Sequence, residues 1–283
     1  MDSYNAFHKK IQSYWLSEHP EMVLESLKED MGLYPKHKSE LLFEGIMACI
    51  DLGLVSEAIN MMKVADGSGF WYPKEMFPDD DIYKSFLDKW EKKRSSVSTT
   101  ALEVGHEGAV NMLALHGWGE DLHLFRRYFN SDAFEKRGRI HYLQSSQQVG
   151  CIQYVWSDRK QAEKDVRHYL CDAFGDVKID VLGGFSQGGY LALDLVVHGS
   201  IQVKKLVLLC PGKEEYKLEI LKNLSEQGVE VLLISGSNDY EHVYHNSLYE
   251  NLLEAGVRVE YQVVEGMAHW FPEDLDVRLD NFL

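Results

Sequence analysis

Ser186 is the residue of this sequence that is best placed to act as a nucleophile. It lies in Gly-Phe-Ser-Gln-Gly, residues 184–188, with further glycines at positions 183 and 189. A strand predicted from Lys178 leads directly into this pattern, and an apolar helix follows it. In such a strand-to-helix turn the serine hydroxyl is exposed, and the glycines give the backbone the clearance that it needs. A serine hydroxyl becomes strongly nucleophilic only when a base removes its proton, so the sequence must also supply a base.

The base and the acid that would activate Ser186 follow it in the chain, each after a predicted strand. The strand that ends at Ile234 leads into Ser-Gly-Ser-Asn-Asp, which places Asp239 in the next loop. The strand that ends at Val264 leads into Glu-Gly-Met-Ala-His, which places His269 in the last loop. Loops at the carboxyl ends of parallel strands meet at one edge of a sheet, and the order serine, acid, histidine occurs in known triads. Two glutamates in the same loops are the alternative acids, Glu241 and Glu265.

Two backbone N–H groups are expected to bind the oxyanion that forms when a serine attacks a carbonyl group. The run Ala109–Leu115 predicts a strand, and His-Gly-Trp-Gly follows it as a glycine turn. This turn would direct the N–H of Trp118 toward the site, and the second donor is the N–H of Gln187, the residue after the nucleophile. His116 is expected to brace the loop rather than to act as a second base.

The residues expected to contact the substrate lie beside these groups. Gly117 precedes the first oxyanion donor, Tyr190 lies in the helix after the nucleophile, and Trp270 follows the predicted base. Aromatic side chains in this part of the chain would form an apolar pocket for an acyl group. The run Ser145–Gln148 follows a predicted strand, and it either lines the rim of this pocket or forms an ordinary polar loop.

Apolar and β-branched runs alternate with segments of helical length after residue 100. The predicted strands are Ala109–Leu115, Arg139–Leu143, Lys178–Leu182, Lys204–Leu209, Val229–Ile234 and Val257–Val264. The predicted helices lie near Asp121–Asn130, Arg159–Ala173, Gln187–His198, Glu214–Glu226 and Tyr244–Glu254. Nearly continuous apolar strands separated by helices predict an α/β domain over residues 96–283, with a mainly parallel, doubly wound sheet covered on both faces. The interval between the fourth and fifth strands holds one helix, so we expect no inserted cap domain.

Residues 1–95 are predicted to form a separate, all-helical region. Five glycines lie in this region and seventeen in residues 96–283. Apolar residues recur at helical spacing in five segments, Tyr4–Trp15, Val23–Met31, Leu41–Ile50, Ser56–Met62 and Ile82–Trp90. The stretch from Leu42 to Ala65 resembles a tetratricopeptide helix pair with Gly53 at the turn, although one or two pairs do not make a free-standing array. The region is therefore either a helical appendage or a surface that binds a protein partner.

Four motifs of the second domain resemble those of one enzyme family. They are Leu-His-Gly-Trp-Gly-Glu-Asp, Gly-Phe-Ser-Gln-Gly-Gly, Gly-Ser-Asn-Asp and Gly-Met-Ala-His. Over residues 105–283 the chain resembles the phospholipase/carboxylesterase branch of the α/β-hydrolases, which includes the acyl-protein thioesterases. The resemblance implies an α/β-hydrolase fold, a triad of Ser186, Asp239 and His269, and oxyanion donors at Trp118 and Gln187. Two features depart from the family: Tyr190 replaces a small residue, and the helical region 1–95 is no standard part of it.

No metal site or cofactor is expected from the remaining motifs. The sequence contains no Gly-x-x-x-x-Gly-Lys-Ser/Thr phosphate loop, and its glycines lack the spacing of a dinucleotide fingerprint. His242 and His245 have the spacing of metal ligands on a helix, but no paired carboxylate motif accompanies them, so we predict a solvated helix start. The cysteines are scattered and are expected to be free thiols, Cys49, Cys151, Cys171 and Cys210.

Charge and composition limit the classes of partner. Twenty-nine Lys and Arg against 45 Asp and Glu give a formal net charge of −16, which disfavours nucleic-acid binding and attraction to anionic lipids. No apolar run approaches the roughly 18–20 residues that span a bilayer, and the sequence begins without a secretory signal pattern. We therefore expect a cytoplasmic protein of 283 residues in two folded parts.

These features together predict a serine hydrolase that cleaves small carboxylic esters or thioesters through an acyl-enzyme. A peptidase on the same fold is an alternative, because a triad does not distinguish amides from esters. A binding or scaffold protein that uses the helices of residues 1–95 is an alternative from a different class.

Overall fold

A computed structural model describes residues 3–106 and 110–283 and divides the chain into two compact units. The first unit comprises the residues up to Ser95 together with Gln148–Gln153, and the second comprises Ser96–Gln147 and Tyr154–Leu283. A boundary after residue 95 does not separate the units completely, because Gln148–Gln153 pack with the first unit. Within that unit the N–H of Cys151 donates to the carbonyl of Trp71 over 2.9 Å.

Five α-helices form most of the first unit. They are α1 (Ser3–Leu16), α2 (Pro20–Asp30), α3 (Lys38–Asp51), α4 (Val55–Gly67) and α5 (Asp81–Glu91), with 3₁₀ turns at Met31–Leu33, Pro35–His37 and Lys74–Met76. Each helix contains one of the five predicted apolar stripes, and these stripes supply a common core that includes Ile11, Leu41, Ile46 and Trp90. The unit therefore buries apolar side chains from all five helices.

Helices α3 and α4 pack against each other across a tight turn. Gly53 has a φ of 68°, which is open to glycine without strain, and it lets the N–H of Leu54 donate to the carbonyl of Cys49 over 2.8 Å. Ala58 and Ala65 are fully buried on α4. These contacts describe one helix pair, and its relation to a tetratricopeptide repeat stays a prediction.

A seven-stranded sheet lies at the centre of the second unit. Its strands are β1 (Thr100–Gly105), β2 (Val110–Leu115), β3 (Gly138–Gln144), β4 (Val181–Phe185), β5 (Lys205–Leu209), β6 (Glu230–Gly236) and β7 (Arg258–Val264). In space they follow the order β7-β6-β5-β4-β2-β3-β1, and every neighbouring pair is parallel except β1 with β3. The predicted mainly parallel sheet is thus confirmed. Two-residue strands also occur at Ser95–Ser96, Gln147–Gln148 and Tyr154–Val155.

Seven helices belong to the second unit in the described part of the chain. They are α6 (Leu122–Tyr128), α7 (Asp132–Glu135), α8 (Arg159–Phe174), α9 (Gln187–Val197), α10 (Leu218–Glu226), α11 (His242–Glu254) and α12 (Leu275–Phe282). Neither α7 nor α12 was predicted. The first predicted residue of β2, Ala109, lies outside the described residues. In residues 3–106 and 110–283, no helix combines the length and the apolarity that a membrane crossing requires.

The sheet separates two apolar cores because successive residues of a strand point to opposite faces. Leu113 and Leu115 of β2 pack in one core with α9 residues such as Leu191. Met112 and Ala114 of β2 pack in the other core, which also contains side chains of α6, α7 and α12. Helices therefore cover both faces of the sheet, and the carboxyl ends of its parallel strands are left to hold a site.

The edge strand β1 was missed in the sequence. Its residues are exposed or half-buried in no regular alternation, whereas those of β4 are all buried. An edge strand with one partner needs no continuous apolar run, so the pattern that reveals the central strands is weak here.

Truncation of Leu206 in β5 should destabilise the second unit far more than truncation of a surface leucine. Leu206 is fully buried, so Leu206→Ala is expected to lower the free energy of unfolding by about 2–5 kcal/mol. Leu253→Ala, on the half-exposed side of α11, is the control and should change it by less than about 0.5 kcal/mol. Denaturant unfolding of both variants measures the difference, and equal losses would contradict the described core.

Candidate active site

Ser186 lies at the turn between β4 and α9 in a backbone conformation that is rare for a residue with a side chain. Its φ is 50° and its ψ is −119°. Its N–H donates to the carbonyl of Leu209 over 3.0 Å, and its own carbonyl accepts from the N–H groups of Tyr190 at 3.0 Å and Gly212 at 2.9 Å. These hydrogen bonds hold the strained turn in place from both sides.

The glycines on either side of Ser186 are required by close backbone contacts. A Cβ added to Gly184 would lie 2.4 Å from the carbonyl carbon of Gly188, and one added to Gly188 would lie 2.2 Å from the carbonyl oxygen of Leu115. Neither distance can be accommodated without moving the main chain. The Gly-x-Ser-x-Gly spacing thus allows α9 to begin directly beside the end of β2.

The side chains of Ser186, His269 and Asp239 lie in one hydrogen-bonded row. His269 Nε2 is 2.8 Å from Ser186 Oγ, and His269 Nδ1 is 2.9 Å from Asp239 Oδ2 and 3.1 Å from Oδ1. The carboxylate accepts from Nδ1–H, so Nε2 is the basic nitrogen that faces the hydroxyl. The row has the geometry needed to take a proton from Ser186 Oγ and to stabilise the resulting imidazolium.

Asp239 remains ionised although its side chain is fully buried. Burial disfavours the charged form, but hydrogen bonds from His269 and from the N–H of Glu241, 2.8 Å from Oδ1, outweigh it and lower the pKa of this carboxyl to about 2. The side chains of the two alternative acids are not in this position, since Glu241 contributes its N–H and Glu265 is exposed. Asp239 is thus the acid that the structure brings to His269.

The N–H of Trp118, in the loop after β2, has no acceptor in residues 3–106 and 110–283. The N–H of Gly117 donates to Glu120 Oε2 over 2.7 Å, and that of Gly119 donates to the carbonyl of Tyr154 over 2.9 Å. By contrast, the N–H groups of Trp118 and Gln187 donate to no acceptor within residues 3–106 and 110–283. Two unpaired donors beside a serine are what an oxyanion requires.

His116 is buried and holds this loop through both ring nitrogens. Nδ1–H donates to the carbonyl of Gly117 over 2.7 Å, and Nε2 accepts from the N–H of Ser145 at 3.2 Å and the Gln144 amide at 3.1 Å. Burial lowers the pKa of His116 to about 4, so the ring is neutral near pH 7. Ser145 and its neighbour Ser146 are themselves buried, so neither lies on an exposed rim.

The predicted substrate-contacting residues lie in different surroundings. Gly117 is buried, and its N–H is already bonded to Glu120. The Tyr190 ring lies 4.6 Å below the guanidinium of Arg159. Trp270 packs against Phe271, with ring centroids 5.4 Å apart, in an aromatic cluster that adjoins His269. Of these three, Trp270 belongs to the wall next to the imidazole.

Comparisons with known proteins identify the fold. No protein-family model and no curated protein matches the chain. An uncharacterized protein from Bacillus cereus is similar over 99% of this chain and 97% of its own, with a TM-score of 0.56 and 20% identity. Esterase PE8 matches over 66% of this chain and 98% of its own, with a TM-score of 0.53 and 19% identity. Carboxylesterase CesB from Bacillus subtilis matches over 71% and 95%, with a TM-score of 0.50 and 14% identity.

The fold is that of the α/β-hydrolases. The parallel sheet, the serine turn after β4 and the loops that carry Asp239 and His269 after β6 and β7 agree with it. About a third of this chain has no counterpart in the match to esterase PE8, whereas the Bacillus cereus protein is similar over nearly the whole length. At such low sequence identities, the structural similarity establishes the α/β-hydrolase fold and not the activity.

The prediction of a solvated helix start at His242 and His245 was wrong for His245. His245 is fully buried; its Nε2–H donates to the carbonyl of Pro211 over 2.9 Å, and its Nδ1 accepts from Ser235 Oγ over 2.7 Å. Helix α11 packs against β6 and β7, and burial lowers the pKa of the imidazole. His245 thus connects the loop after β5 to the end of β6 through its two ring nitrogens.

Two residues at the site were missed in the sequence. The ring of Tyr240 lies 4.7 Å from that of His269 and is 78% exposed, so it covers the imidazole from the solvent side. Cys210 is buried with a φ of 42°, and its sulfur lies within 4.8 Å of ligand atoms of Asp239 and His269. This spacing suits a metal, but burial raises the pKa of the thiol, and the other two side chains already bind each other. No sequence signal marks either residue.

Gly188→Ala should destabilise the α/β-hydrolase unit because the added methyl group would overlap the carbonyl oxygens of Leu115 and His116. The expected loss in the free energy of unfolding is about 1–3 kcal/mol or more, measured by denaturant unfolding. Gly212→Ala is the control, since a Cβ there meets its nearest atom at 3.7 Å. A loss at Gly188 no larger than at Gly212 would show that the turn is looser than described.

The pH dependence of stability should reveal the buried carboxyl of Glu120. Burial, partly offset by the hydrogen bond from Gly117, raises its pKa to about 8 from an ordinary value of 4.5. Between these values the folded protein keeps a proton that the unfolded chain releases, so the free energy of unfolding falls as pH rises, by on the order of 1 kcal/mol per pH unit. Glu120→Gln mimics the protonated acid and should flatten this slope.

The control for this measurement is Glu219→Gln, which removes an exposed carboxylate from α10. Its slope of stability against pH should match that of the wild type. If Glu120→Gln also leaves the slope unchanged, Glu120 is ionised in the folded protein and the assignment of its proton is wrong.

Proposed function

We propose that this protein is a serine hydrolase that cleaves carboxylic esters or thioesters through an acyl-enzyme. The observation that supports this function is the hydrogen-bonded row in which His269 Nε2 lies 2.8 Å from Ser186 Oγ and Nδ1 lies 2.9 Å from Asp239. The N–H groups of Trp118 and Gln187, at the same edge of the sheet, have no acceptor in the described part of the chain. A serine with no catalytic role is not expected to occupy a strained backbone turn, because the strain must be offset by the surrounding structure.

Acylation begins when Ser186 Oγ attacks the carbonyl carbon and His269 Nε2 accepts the hydroxyl proton. Asp239 keeps the other ring nitrogen protonated and stabilises the imidazolium that forms. The N–H groups of Trp118 and Gln187 donate to the developing oxyanion, a contribution worth about 10²–10³ in turnover per donor. When the carbon–oxygen or carbon–sulfur bond breaks, His269 returns the proton to the leaving alcohol or thiol.

Deacylation repeats these steps with water as the nucleophile. His269 takes a proton from water, hydroxide attacks the acyl carbon, and the imidazolium then protonates Ser186 Oγ as the acid leaves. Each protein group that takes part in the two half-reactions is a side chain or a backbone N–H of this chain. The fold shared with esterase PE8 and carboxylesterase CesB supports the same class of reaction.

Ser186→Ala should abolish covalent labelling by a fluorophosphonate probe while leaving the protein folded. The probe reacts with an activated serine, and removing Oγ removes the only atom that His269 activates in the row. Labelling is read from a fluorescent gel and folding from the circular dichroism spectrum. Ser225→Ala, on α10, is the matched control and should label like the wild type.

A labelled Ser186→Ala variant would show that another residue is the nucleophile. Matched ester, thioester and anilide substrates with one acyl group then define the bond that is cleaved. An esterase should hydrolyse the ester and the thioester at least about 100-fold faster than the anilide. Comparable rates for all three substrates would identify a peptidase instead.

A further inference from the structure

A cavity of about 440 Å³ lies in the α/β-hydrolase unit between the loop after β5 and the first turns of α11. Its lining combines aromatic rings with carboxylates. The rings are Tyr216, Tyr240 and Tyr244, and the carboxylates are Glu214, Glu215 and Glu241. The proposed catalytic steps use none of these six side chains.

Both walls of the cavity are attached to the proposed triad. On one wall, Gly212 precedes the lining residues and donates its N–H to the carbonyl of Ser186 over 2.9 Å. On the other wall, the ring of Tyr240 lies 4.7 Å from that of His269, and the N–H of Glu241 donates to Asp239. The cavity therefore adjoins the proposed triad on two sides.

The chemistry of the lining favours a cation. The face of an aromatic ring attracts a cation, and quaternary ammonium groups are bound in clusters of such rings. The lining has three carboxylates and one cation, Lys213, so its formal net charge is −2. Lys213 is exposed, and its charge acts on the carboxylate of Glu241 without outweighing the burial of that group. The guanidinium of Arg159 is paired with Asp194 and is not part of the lining.

Glu241 has a carboxylate oxygen that the described part of the chain leaves unsatisfied. Its Oε2 is buried and has no hydrogen-bond partner within residues 3–106 and 110–283. Burial raises the pKa of this carboxyl, and a bound cation would reverse the shift because it favours the ionised form. A guest with neither a positive charge nor a hydrogen-bond donor would leave the buried oxygen without a partner.

We propose that this cavity binds an ammonium group carried by the substrate, so that the enzyme selects esters or thioesters with a cationic substituent. This inference rests on the proposed function, which places the ester group at Ser186. The positive charge of the guest is inferred from the lining of the cavity alone. Tyr240 then serves both parts of the site, because it covers His269 and forms one wall of the cavity.

The first test measures binding without catalysis, in the Ser186→Ala protein. Choline and 3,3-dimethyl-1-butanol have the same shape and differ in that a carbon atom replaces the charged nitrogen. Choline should bind about tenfold more tightly in a calorimetric or NMR titration, because a ring-lined acidic cavity distinguishes charge rather than shape. Adding Glu241→Gln should reduce that preference about fivefold, whereas Glu250→Gln, an exposed position on α11 outside the lining, should leave it unchanged.

The second test uses the wild-type enzyme with acetylcholine and 3,3-dimethylbutyl acetate. The ratio of their kcat/KM values should favour the charged ester about tenfold and fall toward one in Glu241→Gln. Since each variant is compared with itself on two substrates, a general loss of activity does not affect the ratio.

The outcomes separate this inference from the proposed function. Equal binding of the two alcohols, or no binding of choline, overturns the ammonium site even if neutral esters are cleaved. Preferential choline binding with no hydrolysis of either ester supports the site and contradicts the hydrolase. A preference that Glu241→Gln and Glu250→Gln reduce equally would place the cation elsewhere and overturn the assignment.

Discussion

The close approach of helix α9 to the ends of β2 and β4 is the constraint on which the candidate site depends. Gly184 and Gly188 permit this approach, because a side chain at either position would collide with main-chain atoms. Ser186 has a positive φ at this approach, and Gln187 directly follows it as the first residue of α9. One packing contact thus positions both the proposed nucleophile and a proposed oxyanion donor, and the loops after β2, β6 and β7 complete the candidate site around them.

The electrostatics of the site follow from which buried groups receive hydrogen bonds. Asp239 accepts from His269 and from a backbone N–H, and it stays charged in spite of burial. Glu120 receives one backbone hydrogen bond, and burial prevails, so its pKa rises. His116 and His245 are held neutral by burial, and each uses its ring nitrogens to fasten loops. The buried charge next to the imidazole is therefore the one at Asp239.

The sequence was informative where local chemistry determines structure. Central strands such as β4 and β5 are buried on both faces, so they appear as unbroken apolar runs. Ser186, Asp239 and His269 follow three of these strands, and strand order brings their loops to one edge. By contrast, β1 has one partner and a weak apolar pattern. The burial of His245 and the position of Tyr240 over His269 depend on how α11 packs onto the sheet, which no local pattern records.

The segment Gln148–Gln153 has a consequence for the autonomy of the two units. It packs with the helices of the first unit, yet the chain enters it from Gln147 and leaves it into Tyr154 of the second. The carbonyl of Tyr154 holds the N–H of Gly119, next to the oxyanion donor Trp118. The loop proposed to bind the oxyanion is thus held by a hydrogen bond whose acceptor, Tyr154, directly follows a segment that belongs to the helical unit.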